Sequence, residues 1–218
     1  MNPNKICFIL CVNNDVFAHE CINYINCLKK PDKFSIDILT IHDAPSMLSG
    51  YREGCASTDA FYMVFMHQDV FILNRYFIYD IINIFENDNS IGIIGMTGVT
   101  SLPENFIMWS GQTVGNLYTG GVPADYSNYR YDPIIDGYDE VEAVDGLLIA
   151  TRGTPILRDN IFDGWDFYDV SISMEARLKG QRIVVPRQKS PWCLHDDGNI
   201  LSMLDYDYYR QLAINEYR

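Results

Sequence analysis

Short apolar runs alternate with amphipathic segments over the first 95 residues of the chain. Apolar runs that are too short for helices and end in turn-forming residues are typical of buried parallel strands, whereas apolar positions three or four residues apart indicate helices. The pattern predicts strands at residues 6–12, 35–41, 61–66 and 91–95, and helices at residues 15–28, 46–56 and 75–85. We therefore expect an α/β fold with a mostly parallel central sheet and helices on both faces.

The second half of the chain departs from this rhythm. Residues 97–139 are dense in Gly, Pro, Tyr and Asn, and they predict a long irregular segment, either a lid or binding loop or a surface insertion without a ligand. Beyond it, the pattern predicts strands at residues 141–144, 147–151 and 182–185, and helices at residues 170–179 and 205–217. Asp15 and Asp169 are suitable caps for the helices at residues 15–28 and 170–179, and Gly180 suits a left-handed helix end.

Composition narrows the class of protein. The 218 residues are 48% hydrophobic and 21% charged, which indicates a single domain over residues 1–218 with a full core. A net charge of −13 argues against a nucleic-acid partner and against an anionic membrane surface, because both are bound by clustered Lys and Arg. The six cysteines include no CxxC pair, no secretory signal is recognisable, and no apolar stretch approaches the roughly 20 residues of a membrane span. We expect a reduced, cytoplasmic protein without a transmembrane segment.

The polar sequence His67-Gln68-Asp69 follows directly on the apolar run at residues 61–66. In α/β sheets ligands bind at the carboxyl ends of the strands, so an imidazole and a carboxylate at this point can hold a metal ion. A second cluster of this kind, His195-Asp196-Asp197, lies in a turn-rich stretch near the end of the chain. Oxygen and nitrogen ligands together suit a divalent cation such as Mn or Mg on a diphosphate.

Four blocks of the sequence resemble successive motifs of the glycosyltransferase family 2-like group, whose better-known relative is a domain of a streptomycin-biosynthesis protein. These blocks are FMHQDV at residues 65–70, AVDGLLIAT at 143–151, FDGWDFYD at 162–169 and PWCLHD at 191–196. The blocks cover most of the chain, and their order carries the resemblance. The resemblance implies a GT-A fold, with a nucleotide-binding half at about residues 1–96 and an acceptor and catalytic half at about residues 97–218.

The resemblance also implies a metal and donor site. In this fold a DxD-type motif holds a divalent cation on the nucleotide diphosphate, and His67-Gln68-Asp69 stands in its place. Asp69 inherits the metal role, His67 takes the first acidic position as a metal or nucleotide contact, and His195 matches a late histidine that can reach the metal. The candidate contacts of the nucleotide-sugar donor are Val12, Asn13, Asp43, His67, Asp69 and Asp145.

Sugar transfer further requires a base, because the acceptor hydroxyl must lose its proton as it attacks. Asp169 matches the acidic residue that family 2-like enzymes place there, and Asp166 is the second catalytic candidate, at a position where the group often has histidine. Trp165 and Trp192 are candidates for stacking on a sugar ring, with core packing as the alternative. The plainer alternatives are that Asp69 and Asp169 are turn or cap residues and that His195 is a surface histidine.

These expectations favour a metal-assisted, inverting transferase that uses a UDP-, GDP- or dTDP-sugar as donor. The expected acceptor is a hydroxyl of a glycan, a lipid-linked molecule or a small molecule. A nucleotidyltransferase is a second class, although Asn13-Asn14-Asp15 supplies neither the glycine nor the positive charge that would hold a triphosphate. A third is a non-catalytic nucleotide- or sugar-binding module, because His67 replaces an acidic residue.

Overall fold

The computed structural model describes residues 1–119, 137–196 and 203–218. Its helices are α1 (Asp15–Asn26), α2 (Met47–Ala56), α3 (Phe77–Asn87), α4 (Tyr168–Leu178) and α5 (Tyr206–Tyr217), with a 3-10 turn at Met108–Ser110. Its strands are β1 (Asn2–Val12), β2 (Ser35–His42), β3 (Ala60–His67), β4 (Val70–Ile72), β5 (Ile91–Gly95), β6 (Thr97–Val99), β7 (Thr113–Gly115), β8 (Tyr118–Thr119), β9 (Tyr138–Val141), β10 (Ala143–Val144), β11 (Leu148–Arg152), β12 (Arg182–Pro186) and β13 (Cys193–His195). The elements predicted over the first 95 residues are all present, with their ends shifted by a few residues.

Seven strands form the central sheet in the order β2-β1-β3-β11-β5-β12-β9. β1 runs parallel to β2 and β3, and β12 runs parallel to β5, whereas β11 and β9 are antiparallel to their neighbours. The expected α/β fold with a mostly parallel sheet is therefore confirmed. Strands from both the earlier and the later half of the chain share this one sheet.

Both faces of the sheet are covered, which explains why its strands are continuous apolar runs rather than alternating ones. Ile6, Phe8 and Leu10 of β1 pack on the side of α1 and α3, and Cys7 and Ile9 pack on the side of α2, α4 and α5. All five side chains are fully buried. Burying a large apolar side chain contributes roughly 1.5–3 kcal/mol, so β1 contributes strongly to the stability of the central sheet.

The antiparallel strand β11 determines which turn lies next to the carboxyl end of β3. Its first residue, Leu148, pairs with Met66 of β3, and the backbone N–H of His67 donates to the carbonyl of Leu147 at 3.0 Å. The turn at Asp145-Gly146 is therefore carried to the carboxyl end of β3. Sequence periodicity could not give this direction, because a buried apolar run looks the same in either orientation.

Two three-stranded sheets flank the central one, in the orders β10-β6-β7 and β4-β13-β8. The prediction of an irregular segment at residues 97–139 is thus wrong for its described first part, which contains β6, the 3-10 turn, β7 and β8. Pairing satisfies backbone N–H and C=O groups that would otherwise be buried without partners. The glycines and tyrosines of residues 120–136 lie outside the described residues.

The helix ends correct two predicted caps. Asn14, and not Asp15, caps α1: its side-chain oxygen accepts from the backbone N–H of Val16 at 3.0 Å. α4 follows Phe167, whose φ of 59° is left-handed, and Asp169 lies inside its first turn rather than at its cap. Gly180 has a φ of 74° just after α4, which confirms the predicted left-handed helix end. Within the described ranges, no helix is long and apolar enough to cross a bilayer.

Candidate active site

The carboxyl ends of β1, β2 and β3 lie side by side at one edge of the sheet. Val12 pairs with His42, and Cys11 pairs with His67, so Asn13 and Asp43 follow directly on neighbouring strand ends. Asp43 is exposed and takes a left-handed φ of 55°. The predicted donor contacts Val12, Asn13 and Asp43 therefore border one strip of the sheet edge, next to the His67 corner.

Gln68 joins this strip to the corner, a role that the sequence did not suggest. Its Oε1 accepts from the backbone N–H groups of Asn13 and Asn14 at 3.0 and 2.9 Å, and its Nε2 donates to Oδ1 of Asn13. These bonds fix the β1–α1 turn against the end of β3. The partners are 55 and 54 residues apart in the chain, so no local pattern could reveal them.

Asp69, His67 and His195 form a group that could hold a metal ion. Nε2 of His195 lies 3.5 Å and Nδ1 of His67 lies 4.0 Å from Oδ1 of Asp69, and one ligand atom from each residue lies within 4.8 Å of the others. The pairing of β4 with β13 brings the segments together, and the backbone N–H of Asp196 donates to the carbonyl of Asp69 at 2.9 Å. The two clusters predicted from the sequence, at residues 67–69 and 195–197, therefore meet through His195. Asp197 lies outside the described residues.

The donor set of this group fits a divalent cation. Oδ1 of Asp69 is buried and has no well-formed hydrogen bond from the residues that the structure describes. A buried carboxylate oxygen left in that condition is costly, and a cation would satisfy it. One carboxylate and two imidazoles together suit a divalent first-row transition metal, a class that includes Mn.

The protonation states of the group also favour a cation. Burial acts to raise the pKa of Asp69, but the rings of His195 and His67 outweigh it and hold this pKa below its usual value. Burial lowers the pKa of His67, and the neighbouring His195 adds to that effect. Near neutral pH, Asp69 is therefore ionised and His67 neutral, as metal ligation requires.

A cleft of about 640 Å³ opens beside this group. Six of the predicted site residues line it: His67, Asp145, Trp165, Asp166, Asp169 and His195. They come from four separate parts of the chain, namely the end of β3, the turn before β11, the loop before α4 together with the first turn of α4, and the end of β13. The remaining wall is largely apolar and includes Phe106, Met108 and Trp109.

Among the carboxylates that the structure describes, Asp169 has the pKa that departs furthest from its ordinary value. Burial, together with the charge of Asp145, raises its pKa to about 7. The backbone N–H groups of Gly146 and Val170 donate to its oxygens at 3.0 and 2.7 Å, which fixes the carboxylate at the cleft wall. A carboxylate with a pKa near neutrality can both accept and release a proton at physiological pH.

The other two acidic candidates, Asp145 and Asp166, line the same cleft as Asp169. Oδ1 of Asp145 accepts from the backbone N–H of Leu147 at 2.9 Å, which holds the side chain at the tight turn before β11. Asp166 is half-buried, and burial together with the charge of Asp205 raises its pKa.

The two tryptophan candidates have different surroundings. Trp165 is 50% exposed and lines the cleft, so its ring is available to a ligand. Trp192 is only 3% exposed, lies in the hydrophobic core and meets the ring of Phe77 edge-on. Trp192 therefore packs in the core against Phe77 of α3, and its buried indole is not available to stack on a sugar ring.

Tyr168 is a second residue that sequence reasoning missed. It is 5% exposed at the start of α4, and its hydroxyl is hydrogen-bonded to Nε2 of His67. The two residues are 101 positions apart, and an aromatic residue in an apolar helix turn reads as ordinary core.

Fold and cleft together define an α/β protein of the GT-A type, as its structural neighbours indicate. The first is S. aureus TarS residues 1–349 in complex with UDP, with a TM-score of 0.57 and 12% identity over 96% of this chain and 64% of that chain. The same TarS fragment in complex with UDP-GlcNAc gives a TM-score of 0.56 and 11% identity over 91% of this chain and 60% of that chain. This chain thus spans less than two-thirds of the TarS fragment, and at such identity the likeness concerns the fold.

The sequence itself matches a glycosyltransferase-like family over residues 7–217. The chain belongs to that family, which confirms the resemblance carried by its four motif blocks. None of the curated protein sequences matches it.

Proposed function

We propose that this protein transfers a sugar from a nucleotide-sugar donor to an acceptor hydroxyl, with inversion at the anomeric carbon. The observation that carries the proposal is that Asp169, Asp145, His67 and His195 open on one cleft, next to the buried carboxylate of Asp69. A proton acceptor and a cation-binding group are thus presented to the same space. Both are needed when a hydroxyl attacks a sugar and a diphosphate leaves.

Asp169 acts as the general base. As the acceptor oxygen attacks the anomeric carbon, its proton passes to the carboxylate of Asp169, and the bond from that carbon to the diphosphate oxygen breaks with its electron pair on the oxygen. A pKa of about 7 suits this task because a sizeable fraction of the carboxylate is ionised near neutral pH and the group still holds the proton well once it is transferred. Asp166 is the alternative base, since it lines the same cleft.

Asp69, His67 and His195 would hold the divalent cation, Mn or Mg. A cation bound there would stabilise the negative charge that develops on the leaving diphosphate. Such a cation also explains how a chain with a net charge of −13 binds a polyanion, since few basic residues are available for it. Val12, Asn13 and Asp43 border the nucleotide, and Asp145 faces the donor sugar.

The donor is expected to be a UDP-sugar, with GDP- and dTDP-sugars as the other candidates. Support for uridine comes from the TarS structures in complex with UDP and UDP-GlcNAc. Trp165 and the apolar wall around Trp109 provide a surface for the acceptor, a glycan, a lipid-linked molecule or a small molecule.

A non-catalytic binding module is the second candidate function. It is favoured by one observation, that the first position of the DxD-like motif is His67, whose Nε2 is already bonded to Tyr168. Such a module would bind nucleotide with the cation but release no sugar.

Donor hydrolysis separates these functions without knowledge of the acceptor, because water can take the place of the hydroxyl. We expect nucleoside diphosphate release from one of the UDP-, GDP- or dTDP-sugars, and its loss by about 10²- to 10⁴-fold in Asp169→Asn with nucleotide binding retained. Asp163→Asn is the matched control, since Asp163 lies in the same turn, is exposed and bonds Tyr209 instead of lining the cleft. Full turnover in Asp169→Asn would place the base elsewhere, and binding without any release in the wild type would favour the module.

A further inference from the structure

Tyr168 makes a contact that the reaction outlined above does not use. Its hydroxyl lies against Nε2 of His67, the ring nitrogen that points away from Asp69, whereas Nδ1 is the atom on the Asp69 side. A histidine that binds a metal through one nitrogen usually donates its other N–H to a fixed acceptor, which sets the tautomer and the ring orientation. Tyr168 occupies the place of that acceptor.

Neighbouring residues restrict the position of the Tyr168 hydroxyl. Phe167, with its left-handed φ, directly precedes Tyr168, which is buried, and Tyr168 and Asp169 both line the cleft. The ring of Tyr51 meets that of Tyr168 edge-on, with 6.0 Å between centroids. A Cβ at Gly146 would lie 2.1 Å from the Tyr168 hydroxyl, so this position tolerates only glycine while the hydroxyl stays where it is.

We propose that Tyr168 is the positioning residue of the metal group. His67 donates its Nε2–H to the Tyr168 oxygen, and this bond presents the lone pair of Nδ1 to the cation beside Asp69. Gly146, which also donates to Asp169, makes room for the hydroxyl and so links the metal group to the base through one turn. The inference rests on the metal group of the proposed function.

Tyr168→Phe tests the proposal, because it removes the hydroxyl and keeps the ring. Measured by electron paramagnetic resonance on the protein without nucleotide, Mn affinity should fall by about 10- to 100-fold, the usual effect of losing such a partner. Tyr51→Phe is the matched control: Tyr51 is a fully buried neighbour whose hydroxyl has no hydrogen-bond partner among the described residues. We expect it to bind Mn like the wild type.

The tautomer of His67 gives a readout that packing alone would not change. In nitrogen-15 spectra of the metal-free protein, His67 should carry its proton on Nε2 in the wild type and in Tyr51→Phe, and populate both tautomers in Tyr168→Phe. Gly146→Ala should also weaken Mn binding, although it removes no hydroxyl group. The new methyl group would displace the hydroxyl of Tyr168 from its present position.

The outcomes separate the two claims. Wild-type Mn affinity and an unchanged tautomer in Tyr168→Phe would overturn the positioning role and leave the metal group intact. Absence of Mn binding in the wild type would remove the metal group itself, and with it the role of Tyr168, while Asp169-dependent donor hydrolysis could still be observed.

Discussion

The charge of Asp145 provides a specific means of changing the behaviour of Asp169. Asp145 adds to the burial that raises the pKa of Asp169 to about 7, and it sits at the turn whose Gly146 N–H bonds the Asp169 carboxylate. A base works when it is ionised, so donor hydrolysis should rise with pH through about 7. Without the negative charge of Asp145, Asp169 would ionise at lower pH.

We therefore predict that Asp145→Asn moves the acidic limb of the pH profile to lower pH. The amide oxygen can still accept from the Leu147 N–H, so the turn keeps its shape and only the charge is lost. The measurement is kcat/KM for donor hydrolysis across about pH 5 to 9, which reports the base of the free enzyme. Glu142→Gln is the control, because Glu142 pairs with Arg177 and does not line the cleft. A limb that stays in place or moves to higher pH would contradict the pairing of Asp145 with Asp169.

At the scale of single residues, the sequence indicated the acidic and histidine residues of the site. It did not indicate residues whose role depends on a partner far away in the chain. Asp69, Asp169 and His195 were recognisable because each stands in a motif block, and the structure brings them to one region. Gln68 and Tyr168 carry no local signal, since their partners lie 55 and 101 positions away. Trp192 was ambiguous for a physical reason: an indole serves a core and a sugar ring equally well, and only burial decides.

Among the elements, α1 depends on a cap that lies at the edge of the site. The side chain of Asn14 accepts from the first N–H groups of α1, while its own backbone N–H donates to Gln68. We predict that Asn14→Ala lowers the free energy of unfolding by about 1 kcal/mol, the usual cost of losing an N-cap. Asn14→Asp should keep most of it, because a carboxylate also caps and suits the positive helix end.

Chemical denaturation with urea checks this prediction. Asp15→Ala is the matched control, since Asp15 lies one residue further on, in the first turn, and contributes less, through the helix dipole and an exposed 4.0 Å approach to Nδ1 of His42. If Asp15→Ala lowered the free energy of unfolding more than Asn14→Ala, Asp15 would be the cap of α1, as the sequence suggested.

Element type proved readable from the sequence, but element ends and strand direction were not. The apolar runs of β1, β2, β3 and β5 and the Ser46 start of α2 followed from pattern alone, and Ser46 does cap that helix. The antiparallel course of β11 and the short strands between Thr97 and Thr119 depend on long-range backbone pairing, which periodicity does not record. The antiparallel direction of β11 brings Asp145 close to His67. The site depends on this direction, which the sequence did not predict.

For the molecule as a whole, the proposed function requires an acidic protein to bind an acidic ligand. With 16 basic and 29 acidic residues, the chain has little positive charge with which to attract a diphosphate. A cation held by Asp69, His67 and His195 would resolve this conflict, since it is the largest local charge in such a site. Nucleotide binding should then depend on the metal, and the dependence should disappear with Asp69.

Calorimetric titration with UDP, GDP and dTDP, each with and without Mn, tests this account most directly. We predict that the wild type binds one of the three at least about 10-fold more tightly with Mn, a difference of about 1.4 kcal/mol, and that Asp69→Ala loses the Mn-dependent part. Asp196→Ala is the control, because the contact of Asp196 with Asp69 is made by its backbone and survives the change. Equal affinity with Mn and with a chelator, or an unchanged Mn effect in Asp69→Ala, would contradict the proposed metal-assisted site.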